Sequence, residues 1–146
     1  MIDPAAATTL RAAAEVFVPG SPDGETIGAP DIEAERFLEH YLDYVLPGLA
    51  VAVTQLLDAT ATERFGRSFA VLSLDERTTV LDAIGEHDVE KLREIPALLG
   101  LLSVAAVYGE WTGLDGEGAL VRAPVGWDMT GFPGPSRGRD HLLRGR

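Results

Sequence analysis

Cysteine is absent from all 146 residues. That excludes disulfides, thiolate catalysis, and any zinc or iron–sulfur site held by cysteine. It also fits a cytoplasmic home. Histidine is scarce, with only His40, His87 and His141 present. A hydrolytic site without cysteine needs Ser or Thr beside a His, yet no Gly-x-Ser-x-Gly elbow occurs. Long apolar runs are lacking too. The longest, Ile95–Val107, is interrupted by Pro96, Gly100 and Ser103. It falls short of the about 20 residues that span a bilayer, so it predicts a buried core helix and no membrane insertion. The start Met1-Ile2-Asp3-Pro4 carries no basic region, no twin arginine and no apolar stretch. The expectation is therefore a cytoplasmic protein without a leader.

What is abundant is negative charge. The formal net charge is −11. Residues 1–108 hold 7 Lys and Arg against 18 Asp and Glu, while residues 109–146 hold 5 of each. The acidic body repels phosphate backbones, which argues against nucleic-acid binding. It either forms a plain solvated face or steers toward a basic partner surface.

Helix signals fill the first 108 residues. Asp3-Pro4 is an N-cap followed by proline at the first helical position. The Ala-rich run from Ala5 to Val18 follows, with Leu10, Ala13, Ala14, Phe17 and Val18 on one stripe. A Gly/Pro loop leads to a second helix from about Pro30 to Val45. Ile32, Phe37, Leu38, Tyr41 and Val45 point inward there, with Glu33, Glu35, Glu39 and Asp43 largely on the other side. A third helix from Gly48 to about Ala61 turns Leu49, Val53, Leu56 and Leu57 inward. Phe65-Gly66-Arg67-Ser68-Phe69 is a connector with two aromatic anchors. Ser73-Leu-Asp-Glu76 is a capping box that opens a helix from Leu74 to Ile84, ended by Gly85. A fifth helix spans about Val89 to Tyr108, kinked or split by Pro96. The predicted fold class is all-α, a small helical bundle of about five helices with a long irregular C-terminal tail. The division is 1–108 for the helical domain and 109–146 for an extended Gly/Pro/aromatic tail.

That tail holds 9 of the 16 glycines and both tryptophans, with no sustained period. Trp111, Val125, Trp127, Met129 and Phe132 argue against plain disorder. Trp, Met, Phe and Arg are enriched in interface cores. Trp111, Trp127, Met129, Phe132, Arg137 and Arg139 are therefore the candidate partner-binding residues, with Arg144 and Arg146 beyond them. The other reading is a tail folded back over its own bundle, with the tryptophans finishing the core. One tail can do both. The loop Gly113-Leu-Asp-Gly116-Glu-Gly118 is Gly-rich, but it follows a helix and contains two acids, so it does not cradle phosphate. Glu39-His40 with Asp43 matches neither HExxH nor a di-iron pattern. No catalytic, cofactor-binding or metal-ligating residue is assigned.

The order of these features carries a resemblance. It begins with Phe17-Val-Pro-Gly and an acidic helix. Phe65-Gly66, Phe69 and Leu72-Ser73-Leu-Asp-Glu-Arg77 follow. The series ends with Val107-Tyr108-Gly109, Gly126-Trp127 and Gly131-Phe132-Pro133-Gly134. From about Thr9 to Pro135 the chain resembles the gluconate 2-dehydrogenase subunit 3 family. The resemblance implies a small accessory subunit that is non-catalytic itself. Its partner would be a large FAD-binding oxidoreductase subunit of the glucose–methanol–choline (GMC) class, which oxidises sugar or alcohol hydroxyls. FAD would sit in that partner and none in this chain. The small subunit would help the large one mature, stay stable or be exported. Many members begin with a twin-arginine signal and this chain does not, so a cytoplasmic complex is the expectation. Two rivals remain at this point. One is a self-contained small helical enzyme or metal carrier using His40 and nearby carboxylates. The other is a generic helical interaction or chaperone module.

Overall fold

A computed structural model describes residues 3–132. Among them the fold is all-α, with seven α-helical segments, three short 3-10 turns and a single isolated antiparallel bridge between Leu114 and Leu120.

Helix α1, Pro4–Phe17, starts where local chemistry dictates. Asp3 accepts the Ala5 N–H at 3.1 Å and Pro4 occupies the first turn. Its buried face is built of small residues, Ala12, Ala13 and Ala14, around Leu10. Small side chains let neighbours approach closely, and α1 touches four other helices. It is the centre of the bundle.

The second helix begins later than its sequence suggests. Ala29–Asp31 forms a 3-10 turn, Glu33 takes a left-handed backbone (φ 52°), and helix α2 runs Ala34–Val45. The inward residues also differ. Phe37, Leu38 and Leu42 are buried, whereas Tyr41 and Val45 are exposed. Val45 sits close in helical phase to Ala34 and Leu38, so its exposure means that the last turn of α2 runs past its neighbours. Glu35, expected outside, is inside. Its side chain is only 5% exposed and forms an ion pair with Arg11 of α1, the bond that raises the Arg11 pKa. Glu35 lies at the edge of the buried arc and is covered because α1 packs across it.

Helix α3, Leu49–Phe65, is capped from α2, because Asp43 Oδ1 accepts the Ala50 N–H at 2.9 Å. It extends a turn beyond the expected Ala61. The stop is Gly66, whose φ of 68° suits a left-handed helix cap that a side chain would disfavour. Val53 and Leu57 are buried as expected, while Leu49 and Leu56 are half-buried. Phe69, in the following turn, is fully buried. Asp58 ties this region together, accepting the Phe69 N–H at 2.9 Å and the Thr9 hydroxyl at 3.3 Å.

Helix α4, Leu74–Gly85, opens with the expected capping box. Ser73 Oγ accepts the Glu76 N–H at 3.2 Å, and Glu76 Oε2 accepts the Ser73 N–H at 2.9 Å. The Ser73 N–H holds the Glu76 carboxyl below its ordinary pKa, with Arg67 adding to the shift. Arg77, one turn in, is buried. It donates to Glu15 Oε2 at 2.6 Å, the Ala70 carbonyl at 2.8 Å and the Ala12 carbonyl at 3.4 Å.

The last long helix is split. Helix α5 is Glu90–Arg93 and helix α6 is Ile95–Tyr108, with Pro96 in the first turn of α6 where its missing N–H is harmless. Taken through its flanking turns, Glu90–Gly113 makes a 24-residue stretch whose apolar 18-residue window has a mean hydropathy of 1.4. That is longer than the run read from the sequence. By length and composition it suffices to cross a bilayer. Only 28% of that window is buried in the bundle. The expected core helix is thus buried on its inner face alone, where Leu99, Leu102, Ala106 and Val107 meet the core.

Candidate partner-binding surface

Residues 109–132 carry more structure than their missing period implied. After Trp111–Gly113, Asp115 Oδ1 accepts the N–H groups of Glu117 and Ala119, both at 2.9 Å, and closes a tight loop. Val121 N–H returns to the Gly113 carbonyl at 2.9 Å, and Arg122 Nε donates to the Thr112 carbonyl at 2.6 Å. Helix α7, Val125–Thr130, then begins with its first N–H donated to Thr112 Oγ1 at 2.8 Å. The segment lies back on its own bundle, against α6.

Gly126 is the contact point. A Cβ there would lie 2.5 Å from both the Cα and the carbonyl oxygen of Tyr108. Gly126→Ala is therefore expected to push α7 off α6 at a cost of about 1–3 kcal/mol, with the bundle intact. Hydrogen exchange across 125–130 should speed up roughly ten- to a hundred-fold. Unchanged exchange there would mean that α7 is not held by this contact.

The sequence-chosen residues end up in different places. Trp111 is half-buried and finishes the bundle edge, with Phe37 edge-on at 5.4 Å and His40 stacked at 6.4 Å. Met129 is half-buried against the core. Trp127 packs edge-on against Phe132 at 5.3 Å, leaving Phe132 exposed. Arg137 and Arg139 lie outside the described residues, as do Arg144, Arg146 and His141. Trp111 and Met129 thus share one structure, while Trp127 and Phe132 form a separate pair.

Trp111 also borders a cleft of about 910 Å³ lined by Arg36, His40, Asp115, Arg122 and Val125 among others. A hollow of about 510 Å³ shares Arg36, His40 and Trp111 with it and reaches Asp43 and Tyr44. The walls mix both charge signs. Nothing there pairs a nucleophile with a base. His40 stacks on Trp111, and His87 Nδ1 accepts the Val89 N–H at 3.0 Å, capping the turn into α5. Among the described residues, no group of three or more His, Asp or Glu is placed to hold a metal ion.

The glycine-rich loop is not built as a phosphate cradle. A phosphate cradle needs free backbone N–H groups at a helix start. In the glycine-rich loop the N–H groups of Glu117 and Ala119 are already taken by the Asp115 carboxylate.

Two apolar surfaces escaped the sequence reading. At the α2–α3 corner, Tyr44, Val45, Leu46 and Val51 are exposed. On α6, Leu101, Val104 and Tyr108 are exposed at 67%, 45% and 42%. Leu101, Val104 and Tyr108 recur at three and four residues, but so do the buried Leu99, Leu102 and Ala106, so spacing alone does not mark the exposed face.

A family model described as gluconate 2-dehydrogenase subunit 3 matches residues 4–134. No curated protein and no solved structure matches the chain.

Proposed function

Since this chain belongs to the gluconate 2-dehydrogenase subunit 3 family, we propose that it is the non-catalytic small subunit of a flavin-dependent sugar or alcohol dehydrogenase or oxidase. Its role is to stabilise or mature a large FAD-binding subunit of the GMC class. The observation that carries this reading is the family match over residues 4–134, nearly the whole chain. The chemistry of the described residues supports it. In the glycine-rich loop Asp115 occupies backbone donors that a phosphate would use, which supports a flavin held by the partner. Binding the partner would bury apolar side chains that the bundle leaves outside, and burial of apolar surface drives most protein association.

The test is retention of a partner. Tagged chain recovered from its native extract is expected to bring down a larger second chain in fixed ratio, with the absorbance of an oxidised flavin. A colourless eluate with no stoichiometric second chain would overturn the proposal. Expressing the large subunit alone tests the role, and its soluble yield should fall without this chain.

A further inference from the structure

Helix α6 has no charged residue from Ile95 to Tyr108. A helix apolar on all sides needs cover on all sides. The bundle leaves one stripe of it exposed. Leu99, Leu102, Ala106 and Val107 face α1, α2 and α4, while Ala97, Leu101, Val104 and Tyr108 face outward. The outward four are spaced by four, three and four residues, a continuous stripe of the kind that seats a second helix or a flat apolar strip. Single exposed leucines are ordinary on soluble proteins, but an uncharged stripe along a whole helix marks an interaction surface.

Charge indicates what covers it. Residues 1–132 hold 8 Lys and Arg against 22 Asp and Glu. Glu110 stands just past Tyr108, and Asp128 lies on α7 beside the same end of α6. At the other end, Glu90 and Glu94 are balanced by Lys91 and Arg93. Acids at the Tyr108 end of an apolar stripe, on a body with excess negative charge, fit a surface that is apolar at its centre and basic where it meets that end. It does not fit a bilayer surface, whose anionic headgroups would be repelled. Crossing a bilayer would also take Leu99, Ala106 and Val107 away from the core they complete.

We infer that the outward stripe of α6, formed by Ala97, Leu101, Val104 and Tyr108, is the surface on which the partner dehydrogenase subunit docks, through an apolar strip bordered by Lys or Arg. This rests on the accessory-subunit reading and adds the face and the partner chemistry to it. Trp127 of α7 packs on Phe132, two residues past that helix, and α7 itself packs on α6.

The test uses the full chain and the partner that the wild-type chain retains from native extract. Leu101→Glu with Val104→Glu places two carboxylates on the stripe. Both sites are exposed, so helical circular dichroism and the melting temperature should stay near wild type. Leu101→Gln with Val104→Gln serves if the charged pair unfolds the chain. Affinity for the partner is expected to fall at least roughly thirty-fold, the weight of one interface hot spot. Tyr44→Glu, at the α2–α3 corner, should bind like wild type. A folded double variant that keeps wild-type affinity overturns the α6 assignment and leaves the accessory-subunit reading standing. A wild-type chain that retains no partner overturns both. Flotation of wild type, but not the double variant, on phosphatidylglycerol–phosphatidylethanolamine vesicles would make lipid the occupant and also overturn the assignment.

Discussion

Arg77→Ala is expected to cost the folded chain about 3 kcal/mol, the low end of the range for breaking a buried ion pair. The low end applies because the two partners are unequally covered. The Arg77 side chain is 11% exposed, and that of Glu15 is 34% exposed, so water screens the carboxylate in part. The loss is still large, because the guanidinium does more than pair with Glu15. It also donates to the carbonyls of Ala12 and Ala70, so one side chain fastens α4 to α1 and to the turn after α3. Its Nε is buried with no partner, a cost already present in the native state. For a domain of about 150 residues, 3 kcal/mol corresponds to a melting-temperature drop of roughly 6–12 °C. Arg77→Lys should recover less than half of that, because an ammonium lacks the planar fork that reaches separate acceptors. Thermal melts of the three proteins decide it. A drop under about 2 °C for Arg77→Ala would show that the carbonyls are satisfied some other way.

Phe69→Ala is expected to be as damaging or worse, at about 3–5 kcal/mol, the usual cost of truncating a buried phenylalanine. Phe69 is the largest fully buried side chain among the described residues. Its backbone is anchored separately, since Asp58 accepts its N–H from α3. The turn therefore cannot collapse freely into the space left by the ring, and a cavity that cannot close sits at the high end of the range. Phe69→Leu keeps most of the volume and should cost about 1–1.5 kcal/mol. Denaturant titrations with unchanged slope would report both values. Equal losses for leucine and alanine would refute the cavity argument and implicate backbone strain instead. Native stabilities run from about 5 to 15 kcal/mol, so either Phe69→Ala or Arg77→Ala removes a sizeable share.

The fold was legible wherever its signals are local. Asp3-Pro4 and Ser73 with Glu76 are caps made by neighbours in sequence, and α1 and α4 begin at those positions. The errors came where a boundary depends on more than the next few residues. The left-handed Glu33 shortens α2, and no periodicity announces it. Helix α7 is six residues long, too short to show a period. Its start is capped by Thr112, thirteen residues upstream, and its side packs on Tyr108. Glu35 reads as an outer acid by charge and is inside because α1 lies across it.

The candidate surface was the least legible part. Apolar residues in an aperiodic tail singled out Trp111 and Met129, and both pack against their own bundle, as the folded-back reading of the tail expects. The stripe on α6 was hidden for the opposite reason. A helix apolar all round gives no contrast between faces, so its sequence cannot say which face the bundle covers. Only the positions of α1, α2 and α4 separate Leu101 and Val104 from Leu99 and Leu102.

The central position of α1 also sets a schedule for synthesis. Helix α1 emerges before the other long helices described, all of which pack against it, α6 among them. Between Phe17 and Tyr108 lie about ninety residues, which a ribosome adds in roughly 5–20 s at typical rates of ~5–20 residues per second. Throughout that interval Leu10, Ala13 and Ala14 wait without their full cover, exposed to any chaperone or neighbouring nascent chain that reaches them first.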